Sequence, residues 1–352
     1  MRSVKFSRIA ALAVSLVLAA ASLCACTSDA DGGSGVLSAD GELTVHFLDV
    51  GQADSTLLVS DGEAMLIDAG NRDDAAFITG YLADQGIDHL KYIVFTHPHE
   101  DHIGSGEAVI AAADVDRIFM MDGYEEGIGG YLKRAIDEQG IETTAPAPGD
   151  TAQLGECRID FLGPVSEHDD ANDDSICLKV THGDTRIMFT GDAGSSSERE
   201  LIESGADLEA DILQAAHHGS RTSNSYYFLR EVNPRYVVIS CGKDNMYGHP
   251  HEEALSRFND LGAEVFRTDE QGTVIATDDG SRITFNCEGK KSDRAYTDDQ
   301  QEASYIGNAN SKKYHLPSCS GLPDEKNRVY FMSVDAAESA GYEPCGRCHP
   351  DR

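Results

Sequence analysis

Five times along this chain a short apolar run ends in a histidine or a carboxylate, and that recurrence constrains the fold more than any other feature. The run 92–96 leads into "THPHEDHIG" (96–104). Asp68 closes "MLID", Asp192 follows "IMFTG", His217 and His218 follow "LQAA", and His249 sits in "YGHPH", after a run that closes at Cys241. The carboxyl end of a buried strand is where layered α/β proteins place their sites. One such group carries little weight, but five in order imply several strands delivering polar side chains to one place.

Between residues 42 and 288, β-branched runs alternate with helical stretches. Strands are expected at 43–50, 55–59 and 64–67, with Gly51-Gln52 and Asp61-Gly62 as turns. More are expected at 92–96, 115–121, 157–162, 176–180, 186–190, 212–215, 236–241, 274–277 and 283–285. Helices fit 75–85, 104–113, 126–139, 195–204, 222–231 and 251–261. This reads as an α/β domain with two sheets between helical layers.

The nine residues of "THPHEDHIG" carry chemistry. His97 and His99 lie two apart after a strand, so their imidazoles can converge on one ion, while Asp101 and His102 can reach a second. Imidazole and carboxylate donors suit zinc, manganese or iron, and paired ions can activate water for hydrolysis.

The N-terminus speaks to compartment. Arg2, Lys5 and Arg8 precede an apolar run from Ile9 to Leu23, too short to span a bilayer, which needs roughly 20 residues. This is the pattern of a signal peptide. Its end, Leu23-Cys24-Ala25-Cys26, resembles a lipobox, which implies lipidation at Cys26; plain secretory cleavage is the alternative. The expected organisation is a signal peptide at 1–26, a Ser/Asp/Gly-rich tether at 27–41, a main domain at 42–288, a polar linker at 289–304 and a small module at 305–352. The mature protein is expected outside the cytoplasm, held to the bacterial membrane by its lipid.

Charge separates the two domains. The chain carries 28 Lys and Arg against 61 Asp and Glu, which opposes a general grip on nucleic acid or anionic membrane. Residues 305–352 hold six basic and six acidic side chains, so the deficit belongs to the first three hundred residues. In that tail His315 and Cys319 stand at one end and Cys345-x-x-Cys348 at the other, ligand pairs suited to a closed tetrahedral zinc. So small a module has little core, so a structural metal is expected; disulfides are the alternative. Cys157, Cys177, Cys241 and Cys287 fall in or beside expected strands, as buried thiols or as one or two disulfides.

The order of the motifs resembles the metallo-β-lactamase superfamily. Within it, "VHFLDVGQADSTLL" (45–58), "THPHEDHIG", "NDDSICLKV" (172–180), "LQAAHHGSRTSNS" (213–225) and "YGHPHEEAL" (247–255) resemble the extracytoplasmic hydrolase domain of the ComEC competence proteins. The resemblance covers about 42–287 and implies an αββα sandwich, two divalent ions, zinc or manganese, and a nuclease acting on DNA outside the membrane through an activated hydroxide. It places His97 and His99 on the first ion, Asp101 and His102 on the second, and Asp192 between them. His218, rather than the neighbouring metal candidate His217, would complete the second site. Asp68 would orient ligands, and His249 would face the phosphoryl group; with Asp101 these are the expected catalytic groups. The superfamily usually has a histidine before the strand leading to the bridging aspartate. Here Asn172 or Asp174 stands in its place, and oxygen donors would favour manganese or magnesium over zinc. His168 and His182 lie nearby, His182 in a turn that reads as surface. Arg221 and Lys243 are candidate phosphate contacts.

The tail, 305–350, resembles the metal-binding domain of the Ada DNA-repair proteins through "NSKKYHLPSC", "KNRVYF" and "EPCGRCHP". In that family the first of four cysteines accepts a methyl group. Here His315 occupies the position, and an imidazole lacks thiolate nucleophilicity, so a structural zinc remains, with Lys312, Lys313, Arg328 and Arg347 as nucleic-acid contacts. The readings left open are a surface nuclease, with DNA and a DNA-uptake apparatus as partners; a hydrolase of a small substrate (nucleotide, phosphate ester, lactone or thioester); and a non-catalytic surface nucleic-acid-binding protein.

Overall fold

The computed structural model describes residues 41–124, 127–290, 305–324, 327–331, 334–339 and 341–350. The stretches read as a signal peptide ending at Cys26 and as a tether, apart from Gly41, and most of the expected linker lie outside the described residues.

Two sheets carry the main domain. The first contains β1 (Leu43–Phe47), β2 (Thr56–Ser60), β3 (Glu63–Ile67), β4 (His89–Val94), β5 (Asp114–Phe119), β6 (Glu142–Thr144), β14 (Val274–Asp278) and β15 (Ile283–Phe285), in the order β15-β14-β1-β2-β3-β4-β5-β6. The second contains β7 (Thr151–Leu154), β8 (Cys157–Gly163), β9 (Cys177–His182), β10 (Thr185–Phe189), β11 (Ile212–Gln214), β12 (Tyr236–Ile239) and β13 (Glu264–Arg267), in the order β13-β12-β11-β10-β9-β8-β7. Each sheet is half antiparallel and half parallel; β3 to β6 run parallel in one, β10 to β13 in the other. Asp61 and Gly62 both have positive φ, as a two-residue hairpin between β2 and β3 requires.

Apolar residues occupy both faces of each sheet, which is why the strands read as continuous apolar runs. Val45, Phe47, Leu58 and Met65 point inward and pack with Phe161, Leu178, Val180 and Phe189 of the second sheet. The alternate residues Leu57, Leu66 and Ile93 pack outward with Ile78 and Leu82 of α1 (Ala75–Asp84), Val109 of the helix Gly106–Ala112 and Leu132 of the helix Gly127–Gln139. Leu213, Val237 and Ile239 do the same with Leu201 of the helix Ser195–Glu203, Phe228 of the helix Tyr226–Val232 and Phe258 of the helix Glu252–Asp260. The result is an αββα sandwich.

Several expectations shift. The helix expected at 104–113 is two pieces, Glu100–Ile103 and Gly106–Ala112, broken where a Cβ on Gly104 would lie 2.3 Å from the Arg72 nitrogen. Strands β6, β7 and β13 escaped the pattern reading because Glu142, Gln153 and Glu264 interrupt their apolar runs. His182 is buried, with Nδ1 3.0 Å from Asp278 Oδ2, so it is no surface residue. Cys157, Cys177, Cys241 and Cys287 are all free thiols, and burial pushes Cys157 up to about 11. The tail forms its own four-stranded sheet, Arg328–Phe331, Tyr305–Asn308, Lys313–His315 and Glu343–Pro344 in spatial order, around Tyr314, Phe331 and Tyr342.

Candidate metal centre

Asp68 follows β3 directly and Asp192 follows β10, while His97 follows β4 and the His217-His218 pair follows β11, so the carboxyl ends of parallel strands gather these groups at one edge of the sandwich. Asp68, His97, His102, Asp192 and His218 are at most 2% exposed.

Each buried imidazole is held by its Nδ1 edge. Asp68 accepts from the Thr96 N–H at 2.8 Å, the Thr96 hydroxyl at 2.7 Å and His102 Nδ1 at 2.7 Å. His218 Nδ1 lies 3.1 Å from the Ser240 carbonyl and 3.3 Å from Asp54. His97 Nδ1 has the hydroxyls of Thr96 at 3.2 Å and Ser175 at 3.4 Å. With Nδ1 engaged, the Nε2 lone pairs turn inward, as metal ligands need.

They turn toward Asp192. Its Oδ1 lies 3.3 Å from His102 Nε2 and 3.9 Å from His218 Nε2; its Oδ2 lies 3.5 Å from His217 Nε2 and 3.8 Å from His97 Nε2. Asp101 Oδ2 is 3.3 Å from His218 Nε2, and His99 Nδ1 is 3.0 Å from His97 Nε2. Ligand atoms of Asp101, His102, Asp192 and His218 all fall within 4.8 Å of one another.

This arrangement fits a divalent cation. His102 Nε2 and Asp192 Oδ1 are buried, face each other and make no hydrogen bond, a gap that a cation would fill. Burial opposes charge on Asp192, yet His102 and His218 hold its carboxyl well below the ordinary range. Burial likewise opposes charge on His102 and His218, and the surrounding carboxylates outweigh it, raising both well above an ordinary imidazole. The cluster draws positive charge to its centre, as protons or as metal.

Local backbone makes the placement possible. Asp68, His217 and His218 have φ of 58°, 53° and 53°, left-handed conformations uncommon outside glycine and met at functional sites. Gly219 has φ 79°, and a Cβ there would lie 2.6 Å from Pro250 Cβ, so only glycine lets this loop pack against the His249 loop.

The sequence-chosen residues do not all meet. Asp174 Oδ1 accepts from the His168 N–H at 2.8 Å, and Asp174 is not among the acids and histidines gathered around Asp192; the Asn172 backbone N–H donates to Asp170, and its side-chain Oδ1 is buried without a hydrogen-bond partner. What the 172–180 stretch brings is Ser175, which receives the Asp192 N–H at 3.1 Å and touches His97. Gln52, read as part of a turn, and Asp54, noted only within the 45–58 stretch, also line the site. The Gln52 Oε1 accepts from the Gly242 N–H at 3.1 Å, which leaves its amide Nε2 to donate to His249 Nδ1 at 3.2 Å. The proton of neutral His249 therefore sits on Nε2. Burial and the neighbouring imidazoles lower His249 to about 4.

The family model described as Metallo-beta-lactamase superfamily matches residues 48–243. The chain belongs to the metallo-β-lactamase superfamily. It is 29% identical to ComE operon protein 3 of Bacillus subtilis over 68% of this chain and 33% of that protein, and 29% identical to competence protein ComA of Neisseria gonorrhoeae over 67% and 32%. The chain thus spans about a third of the length of these competence relatives. Among solved structures it is similar to the metallo-beta-lactamase fold protein YhfI from Bacillus subtilis, 16% identical, covering 67% of this chain and 99% of that one, with a TM-score of 0.48. The tail, residues 292–351, matches the metal binding domain of Ada.

In this member of the metallo-β-lactamase superfamily the tail presents a second cluster. Ligand atoms of His315, Cys319, Cys345 and Cys348 lie within 4.8 Å of one another. All three of these cysteines are free, with no disulfide among them. Backbone N–H groups of Gly321, Arg347 and Leu316 each donate to a sulfur, Cys319, Cys345 and Cys348, at 3.4 Å. The Cys348 thiol, donating to Cys319, lowers Cys319 toward thiolate while the same contact raises Cys348, so the pair shares one proton that a cation would displace. One nitrogen and three sulfurs suit zinc.

Proposed function

We propose that this protein is a cell-surface, metal-dependent phosphodiesterase that cleaves DNA, anchored through lipid on Cys26. The observation that carries the reading is the division of Asp192, one oxygen toward His102 and His218 and the other toward His97 and His217. A carboxylate so divided suits two ions a few Å apart. Bound there, divalent ions supply charge to neutralise a phosphodiester and acidify water. The similarity to competence proteins favours DNA over other phosphodiesters.

The chain's own residues do the rest. Asp68 and Asp54 hold His102 and His218 in the tautomer that presents Nε2, so no reorientation precedes binding. His249, neutral through most of the physiological range, presents Nε2–H where it can donate to a non-bridging or leaving oxygen. Its ring lies 5.5 Å from that of His217 and 5.8 Å from that of Tyr247, with which it stacks. Tyr247 is 61% exposed and Met246 is 89% exposed, so an apolar rim of two side chains borders the site. Such a rim suits a nucleobase. From Pro250 and His251 a cleft of about 1060 Å³ runs to Leu322, Pro323 and Arg328 of the Ada-like tail, so one ligand can touch both domains. Arg221 is partly engaged by Glu253 at 3.9 Å, and Lys243 is exposed; both stand near the rim as phosphate contacts.

The test is cleavage of labelled single- and double-stranded DNA by the purified protein, stripped of metal and then given manganese, zinc or magnesium. Metal-restored cleavage is expected. A folded, metal-loaded protein that cleaves no DNA but hydrolyses small phosphate esters or lactones would move the assignment to a small-molecule hydrolase.

A further inference from the structure

We infer that His217 is a ligand of the first ion, filling the place left open by the absence of a histidine in the 172–180 stretch. The inference deepens the two-ion reading above and rests on it. Asp192 Oδ2 faces away from the second cluster, and the imidazole nitrogens nearest it are His217 Nε2 at 3.5 Å and His97 Nε2 at 3.8 Å. His97 Nε2 in turn lies 3.0 Å from His99 Nδ1, which places three imidazoles on the Oδ2 side of Asp192.

The backbone explains how His217 reaches it. Adjacent residues on a strand point to opposite faces, yet His217 and His218 both serve Asp192, one per oxygen. They do so because both occupy left-handed conformations, and because the His217 N–H donates to the Gly191 carbonyl at 3.0 Å, pinning the loop beside Asp192 itself. Of the competing ligands, Asp174 is engaged by the His168 N–H and the neighbouring Asp173 by the Gly194 N–H and the Ser196 hydroxyl, whereas Asn172 Oδ1 is buried without a hydrogen-bond partner and is the rival that the metal count must separate from His217. Ser175 meets His97 on its Nδ1 edge, opposite the inward-facing Nε2.

The consequence is a difference between the two ions. The first would have three imidazoles and one carboxylate, a set suited to zinc or iron; the second would have two imidazoles and two carboxylates, which tolerates manganese. On this assignment a nitrogen-rich first site would stand where Asn172 or Asp174 would have made an oxygen-rich one.

The test counts metal without substrate. His217→Gly removes the imidazole while keeping a residue at ease with φ 53°. The full-length protein, equilibrated with a small excess of zinc and assayed by elemental analysis, is expected to hold three ions, one of them in the tail. His217→Gly is expected to hold two, with the Kd of the lost ion raised at least about 100-fold, and added imidazole should restore the third. Asp174→Ala and Asn172→Ala should both hold three. Three ions in folded His217→Gly, or loss of one in Asp174→Ala or Asn172→Ala, would overturn the assignment. Only two ions in the unaltered protein would instead overturn the two-ion reading itself. Far-ultraviolet circular dichroism of each metal-free variant separates ligand loss from misfolding.

Discussion

Replacing Arg257 by methionine should cost this protein about 3–4 kcal/mol and loosen the loop that carries His217 and His218. Arg257 lies on the helix Glu252–Asp260, is 4% exposed, and donates to the carbonyls of Ser223 at 2.7 Å, Asn224 at 3.1 Å and Arg221 at 3.1 Å. The same segment is held from the other side by Glu198, wholly buried, which accepts from the backbone N–H groups of Asn224 and Ser225. Burial raises the Glu198 carboxyl and lowers Arg257, and their mutual attraction works against both effects. Methionine keeps most of the volume and removes the charge. The Ser223 and Asn224 acceptors are buried, so each lost charged hydrogen bond costs about 1.5–2 kcal/mol; the Arg221 carbonyl is nearer water and adds little. Urea denaturation of the metal-free protein measures the loss. Glu198→Gln combined with Arg257→Met should cost less than the sum of the two single changes, because each change alone strands a buried charge. A loss under about 1 kcal/mol, or strict additivity of the pair, would refute the claim that this network holds the loop. Zinc titration gives the functional arm, with binding weakened in Arg257→Met and partly recovered in Arg257→Lys.

Other expectations follow from particular contacts. Asp192→Ala removes the carboxylate shared by four imidazoles, so hydrolysis should fall more than about a thousandfold with circular dichroism unchanged; an active, folded variant would end the two-ion reading. Tyr247→Ala should raise KM for single-stranded DNA about tenfold and leave a base-free phosphodiester unaffected, whereas equal KM values would remove the stacking role. Cys345→Ser should release the tail zinc and leave cleavage of short oligonucleotides intact, and loss of both would contradict independent domains. His46, 6% exposed and lowered by burial from 6.5 to about 4, stays neutral in the fold while the unfolded chain takes up a proton. Its contribution is therefore complete above pH 6.5 and lost as pH falls toward 4, by about 3 kcal/mol, so His46→Gln should flatten the urea midpoint across that window relative to the parent.

How much of this was legible depended on whether a residue acts by its own chemistry or through a distant partner. His97, His99, Asp101 and His102 announce themselves because few residue types bind metal and these lie within six positions. Asp68, Asp192 and His218 could be found because strand ends place them. Gln52, Asp54, Thr96 and Ser175 could not, since each matters only through a hydrogen bond or close charge pairing with an imidazole, in most cases from far along the chain, as with Asp54 and His218. His182 failed for the same reason in reverse: a turn sequence suggests exposure, and only the fold reveals Asp278 beside it. The third-motif stretch shows the limit most clearly. Asn172 and Asp174 have suitable donors at a suitable place in the sequence, but the fold engages Asp174 in closing its own loop, leaves Asn172 Oδ1 buried without a hydrogen-bond partner, and sets the hydroxyl of Ser175 against His97.

A conformational choice two strands later then becomes chemical. Had His217 and His218 continued as a strand, one would face the metals and the other the opposite side, and Asp192 Oδ2 would have only His97 beside it. The left-handed pair, followed by Gly219 tight against Pro250, turns both imidazoles to the same carboxylate and brings the His249 loop over them. The strain of two non-glycine residues at φ 53° costs of order 1–3 kcal/mol each, which is worth tolerating only if both side chains are used. His217→Gly should therefore stabilise the metal-free protein or leave it unchanged while it weakens zinc binding, an opposition of sign that a purely structural histidine would not produce. If metal-free His217→Gly instead unfolds at lower urea than the parent, the side chain supports the fold and the strain is not held for the ion.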